Sequence, residues 1–154
     1  MGDALRDAGL TPFVKPTGSR GLHVVAPLKP GADFERVRRA CRRLADHLVA
    51  RHPDALTAEQ RKNKRHGRLY LDIMRNAFGQ TAVAPYAVRA KPGAPVATPL
   101  DWSEVNDPDI GPRRYRVDNL FRRLGQKDDP WAGMTDRAAD IDELETALRA
   151  WEQD

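Results

Sequence analysis

The sequence predicts an α+β fold: a small mixed sheet carrying a strand-helix-strand unit, followed by C-terminal helices. Three observations predict it. Leu22, Val24, Ala26 and Leu28 fall on one strand face with His23 and Val25 on the other, and Leu69, Leu71 and Ile73 alternate with Tyr70 and Asp72. That is the period of half-buried strands. Between the two strands Phe34, Val37, Cys41, Leu44 and Leu48 recur at three and four, the period of an amphipathic helix. Near the end Ile141, Leu144, Leu148 and Trp151 repeat that spacing. A chain of 154 residues is expected to form one domain, 1–154, long enough to bury a core.

Taken in order, residues 3–8 predict a short helix ended by Gly9, and Thr11 to Val14 a short strand. Lys15-Pro16-Thr17-Gly18-Ser19-Arg20-Gly21 is a glycine-punctuated loop leading into the Leu22 strand. Pro27 and Pro30-Gly31 end that strand, and Asp33 is placed to cap the Phe34 helix. Thr57 to Lys62 reads as one or two helical turns. Lys62 to Arg68 carries four charges and a histidine in seven residues and must be exposed. A crossover from the Leu22 strand through the helix to the Leu69 strand would be right-handed. Pro85 marks an edge or irregular segment, and the prolines from 92 to 99 an extended connector. Short helices are expected near 100–105 and 117–124. Trp131 reads as a local packing anchor, and 138–151 as the closing helix.

Composition narrows the class. The chain is 40% hydrophobic and 31% charged, as soluble globular proteins are. No apolar run approaches the roughly 18 residues of a membrane-crossing helix, so no membrane partner is expected. The single cysteine, Cys41, excludes an internal disulfide and suits a reducing, cytoplasmic setting. It lies on the apolar helix face, where packing rather than reactivity is expected. The net charge of +4 leans mildly towards polyanions.

Two groups of residues carry chemistry. In the glycine loop the amides can converge on an anion, flanked by the hydroxyls of Thr17 and Ser19 and the charges of Lys15 and Arg20. A plain β-turn with a basic edge fits the same residues, because the Walker A pattern is absent. Strand parity sets His23 and Asp72 on one side, away from the Phe34 helix. There Asp72 serves as a metal ligand or general base, or forms a salt bridge with Arg75 or Arg68. The basic helix face of Arg36, Arg39 and Arg43 is either solvated or in contact with phosphates.

Three stretches together carry a resemblance. Thr17-Gly18-Ser19-Arg20-Gly21-Leu22-His23, then Leu71-Asp72-Ile73-Met74-Arg75-Asn76, then Thr81 to Val96 stand in the order and spacing seen in bacterial end-joining polymerases. Leu100-Asp101-Trp102 and Pro130-Trp131 extend the match over nearly the whole chain. The sequence thus resembles the primase-polymerase domain of the DNA ligase D family, in the archaeo-eukaryotic primase superfamily. The resemblance implies part of a primase-polymerase palm and nucleotidyl transfer in non-homologous end joining. Its partners would be DNA ends and nucleoside triphosphates. It implies Asp72 as a catalytic, metal-binding aspartate for Mg²⁺ or Mn²⁺. It implies nucleotide contacts from Thr17, Ser19, Arg20, His23, Arg75 and Arg89, with Thr17 standing where the family carries a serine.

One departure shapes the expectation. The family's two other metal-binding aspartates form an Asp-x-Asp motif before the glycine loop, and only Asp3 and Asp7 precede Thr17 here. The chain is therefore expected to be the second half of such a domain, inactive alone. It would need the missing carboxylates before holding two metal ions. The alternatives are a non-catalytic nucleotide- or DNA-binding module, or a subunit that completes a split polymerase with an upstream half or other end-joining proteins. The ligase pattern Lys-x-Asp-Gly is absent, so no ligase module is expected.

Overall fold

The structure, a computed structural model, describes residues 1–153. It opens with α1 (Gly2–Asp7), then β1 (Phe13–Pro16) and β2 (Leu22–Val25), which pair antiparallel from Phe13 opposite Val25 to Pro16 opposite Leu22. α2 (Phe34–Arg51) follows. Its start is capped by Asp33, whose carboxylate accepts the Arg36 backbone N–H at 2.7 Å. This satisfies one of the four N–H groups that a helix start leaves open. β3 (Leu56–Thr57) and β4 (Leu69–Tyr70) pair in parallel. The chain then runs through turns to α3 (Val117–Leu124) and closes with α4 (Ile141–Trp151).

The core lies where α1, α2 and α4 meet. Leu5, Ala8 and Leu10 pack with Ala40, Leu44 and Leu48 of α2 and with Ile141, Leu144 and Leu148 of α4. Val24, Ala26 and Leu28 close it from the strand side. Each fully buried leucine or isoleucine contributes roughly 1.5–3 kcal/mol. Leu28 bridges Ala139, and the Lys29 N–H donates to the Ala139 carbonyl at 2.9 Å, so the strand segment is tied to the start of α4.

The charged face of α2 serves this packing. The Arg36 guanidinium donates to both oxygens of Glu145, at 3.1 and 2.9 Å, and also meets Asp142. Arg43 grips Glu152 at 2.8 Å from two nitrogens. Such forked pairs fix geometry as well as charge. These arginines hold α4 rather than standing free for phosphates.

Three local expectations change. The Leu22 and Leu69 strands do not share a sheet: among the described residues the sheet structure divides into one antiparallel and one parallel two-stranded ladder. Leu69 pairs instead with Leu56, across the short basic loop, so no helical crossover joins paired strands. Thr57, where helical turns to Lys62 were expected, is instead strand with Leu56, because Leu56 packs on the core and Thr57 is buried beside it. Phe34 stands at the first position of α2, beyond the core, and is exposed. It meets the exposed Phe78 edge-on at 5.6 Å. Cys41 sits on the inner side as expected, and burial pushes its thiol up to about 11.

β1 is held from its far side as well. The Val14 carbonyl accepts the Leu100 N–H at 3.0 Å and the Trp131 indole N–H at 3.1 Å. Trp131 is buried and packs edge-on to Phe13 at 5.9 Å. Among the described residues no helix is long and apolar enough to cross a membrane.

Candidate functional site

The β1–β2 hairpin supplies the first part of the site. Its turn is closed by the Thr17 N–H on the Gly21 carbonyl at 2.9 Å. Thr17 Oγ1 accepts the N–H groups of Ser19 at 3.2 Å and Gly21 at 3.4 Å. The hydroxyl shapes the turn and keeps its own proton for an outside acceptor. Gly18 takes a φ of +64°, a left-handed backbone that costs other residues about 1–2 kcal/mol. A Cβ there would stand 2.6 Å from Arg89 Cγ and 3.3 Å from the Pro95 carbonyl oxygen. The Arg89 stem therefore lies directly on the turn. Gly21 has open space around it and no left-handed backbone, so its freedom is not used.

Arg89 reaches this place because residues 88–96 fold back on themselves. Val88 bridges Val96, and the Arg89 N–H donates to the Pro95 carbonyl at 2.8 Å. A second guanidinium arrives from far along the chain: Arg113 Nε donates to the Ser19 carbonyl at 3.0 Å. Sequence reasoning missed Arg113, which lies 94 residues from Ser19 in a loop with no distinguishing pattern. Arg20 is exposed beside the turn.

Lys15 is not the exposed loop charge that its neighbours suggested. It is 2% exposed, and its ammonium donates to the Val83 carbonyl at 2.7 Å. It stands 3.2 Å from His23 Nδ1 and 5.9 Å from the centre of the Trp131 ring. Burial, helped by the charge of Arg89, lowers it to about 8. A buried ammonium is tolerated only when it is fully engaged.

His23 is half-buried opposite Lys15 in the ladder. Burial first and then the Lys15 charge hold it below its ordinary value. The Asp72 carboxylate pulls the other way, and Arg89 and Arg75 add to the lowering. One imidazole therefore feels Asp72, Arg75 and Arg89 together; the strand expected through Ile73 ends at Tyr70, so Asp72 lies past β4 rather than on it. Asp72 itself is exposed, and its Oδ1 accepts the Met74 N–H at 3.0 Å, starting the turn Met74–Asn76. The salt-bridge alternative is not formed. Arg75 donates to Gln80 Oε1 at 2.9 Å, and Arg68 to main-chain carbonyls of Pro53, Lys64 and Arg65.

The cluster is rich in donors for an anion: the Thr17 hydroxyl, His23 and several guanidiniums. Its acid content is low. Among the described residues no group of three His, Cys, Asp or Glu side chains is placed to hold a metal ion. A pair of Mg²⁺ or Mn²⁺ ions needs bridging acids, and the single Asp72 carboxylate does not fit that demand.

Comparison with known proteins bears on this geometry. Residues 1–131 match the family model described as LigD, primase-polymerase domain. The chain is 31% identical over 147 residues to the multifunctional non-homologous end joining protein LigD of Pseudomonas aeruginosa, covering 94% of this chain and 17% of that protein. It is 31% identical over 124 residues to the bifunctional non-homologous end joining protein LigD of Bacillus subtilis, covering 80% and 20%. The solved polymerase domain of Mycobacterium tuberculosis ligase D, in complex with DNA, superposes with a TM-score of 0.80 at 29% identity. That likeness covers 88% of this chain and 47% of the solved domain. The chain thus spans about a fifth of the curated relatives and about half of the solved domain.

Proposed function

The chain belongs to the LigD primase-polymerase family, and from that premise we propose that it serves nucleotidyl transfer in end joining, with the Thr17–Gly21 turn as its triphosphate-binding element. The observation that carries this reading is the convergence on one turn: Arg89 lies on Gly18, Arg113 holds Ser19, and His23 shares a field with Arg75, Arg89 and Asp72. Phosphoryl transfer is catalysed largely by positioning and by charge stabilisation along the phosphates. A free hydroxyl proton and planar guanidiniums suit that task.

DNA ends are the proposed second substrate, in keeping with the DNA bound by the M. tuberculosis domain. Asp72 is the proposed metal-binding carboxylate. Its isolation favours a particular form of the reading: these residues bind and orient the triphosphate, and transfer proceeds where further acids join Asp72, from an upstream polymerase half or another protein. Titration of the purified chain with ATP tests the binding step. Weak binding that falls steeply with added salt is expected. ATP binding no stronger than that of an uncharged nucleoside would overturn the reading.

A further inference from the structure

We propose that Lys15 is a positioning residue: its buried ammonium donates to Nδ1 of His23 and so fixes the imidazole as a neutral Nε2–H donor for a bound phosphate. The inference rests on the nucleotide-binding reading and concerns how one residue of that site is set. An ammonium has three donors and no acceptor. The Val83 carbonyl takes one of its protons at 2.7 Å, and His23 Nδ1 lies at 3.2 Å. At that contact Nδ1 must accept. In a neutral imidazole the proton then resides on Nε2. No protein group among the described residues takes up Nε2, so it is left for a ligand.

Charge works in the same direction. Lys15 faces the ring from β1, Arg89 from the 88–96 turn and Arg75 from the turn after β4, and all three oppose a second proton. Asp72 favours one but is outweighed by these cations and by burial. An imidazolium would also need to donate from Nδ1 towards the ammonium, which cannot accept. His23 therefore acts through a hydrogen bond rather than through charge. Its contact to phosphate should persist where an ordinary histidine gains or loses a proton.

The test is nitrogen NMR of the unliganded chain labelled with ¹⁵N-histidine, titrated with acid, in wild type and in Lys15→Met. In wild type Nδ1 should be bare, Nε2 protonated, and the titration midpoint below the ordinary 6.5. Lys15→Met should raise that midpoint by about 1 pH unit, the scale of a removed neighbouring charge. A proton on Nδ1 in wild type, a wild-type midpoint at or above 6.5, or no change in the variant would each overturn the proposal. If Lys15→Met does not fold, the wild-type tautomer and midpoint decide alone. ATP is added to the same samples. ATP binding with the proton on Nδ1 defeats the positioning role only, whereas a bare Nδ1 without ATP binding defeats the nucleotide reading.

Discussion

The side chain of Arg89 rests on Gly18 so closely that a single added methyl would stand 2.6 Å from its Cγ. The turn also holds Gly18 at a φ of +64°. Gly18→Ala should therefore meet two penalties, and the backbone one alone is about 1–2 kcal/mol. Urea unfolding should show a loss of at least that size, and ATP binding should weaken as Arg89 is pushed off the turn. Unchanged unfolding and unchanged binding would show that the contact is dispensable.

Arg75 and Arg89 separate binding from folding. Arg75 is exposed and donates only to Gln80 Oε1, so Arg75→Ala should leave stability within about 0.5 kcal/mol of wild type. Loss of a charge-assisted contact to phosphate costs about 1.5–3 kcal/mol, so ATP affinity should fall by about 10- to 150-fold. Arg89→Ala should weaken ATP to a similar extent and also loosen the turn. Isothermal titration at low and high salt checks both. Equal affinity of wild type and the two variants would contradict the assignment.

Primer extension should be absent for the purified chain acting alone. Stabilising the attacking and leaving oxygens requires two cations held about 3.5–4 Å apart, and among the described residues no group of three metal-ligating side chains joins Asp72. Each 1.36 kcal/mol lost from the barrier stabilisation is about tenfold in rate. Templated, metal-dependent extension that disappears in Asp72→Asn would refute this, and would mean that acids arrive from a second copy.

Acid should loosen the end that carries α3. Chiefly the Arg123 guanidinium, against the opposing effect of burial, and then the Asp101 N–H and Lys127, hold the Glu104 carboxyl down to about 2. Arg123 also donates to the Pro99 carbonyl at 3.0 Å, tying α3 to the connector. A carboxyl lowered on folding stabilises the protein above its unfolded value of 4.5, and that stability is lost as pH falls towards 2. Glu104→Gln should cost about 3 kcal/mol at pH 7, with the difference shrinking towards zero near pH 2. Unfolding midpoints across that range check it. A constant difference would show that the pair acts through shape alone.

What could be read in the residues follows from how each is constrained. The α2 and α4 stripes were legible because burial of one helix face imposes a period of 3.6, and Asp33 announced its cap by position. The parity argument that set His23 beside Asp72 does not hold, because it assumed one shared sheet: the ladders are separate and Asp72 lies past the end of β4. β4 was read as a strand, but its partner β3 was not, since two residues carry no period. Phe34 matched the stripe but sits where α2 outruns the core. Arg113 and the burial of Lys15 depend on Ser19, Val83 and Trp131, contacts distant in sequence that no local pattern encodes.

The double grip on the Val14 carbonyl has a consequence for assembly. With Leu100 and Trp131 both bonded there, the outer flank of β1 offers no open acceptor at that point for a foreign strand. Among the described residues β2 pairs with β1 alone, and no second strand pairs with its other flank. Growth of a fibril by strand addition needs a free edge on each side of every unit. A hairpin open on one side only can take up a single partner there, and addition through this hairpin stops at a pair instead of running on into a stack.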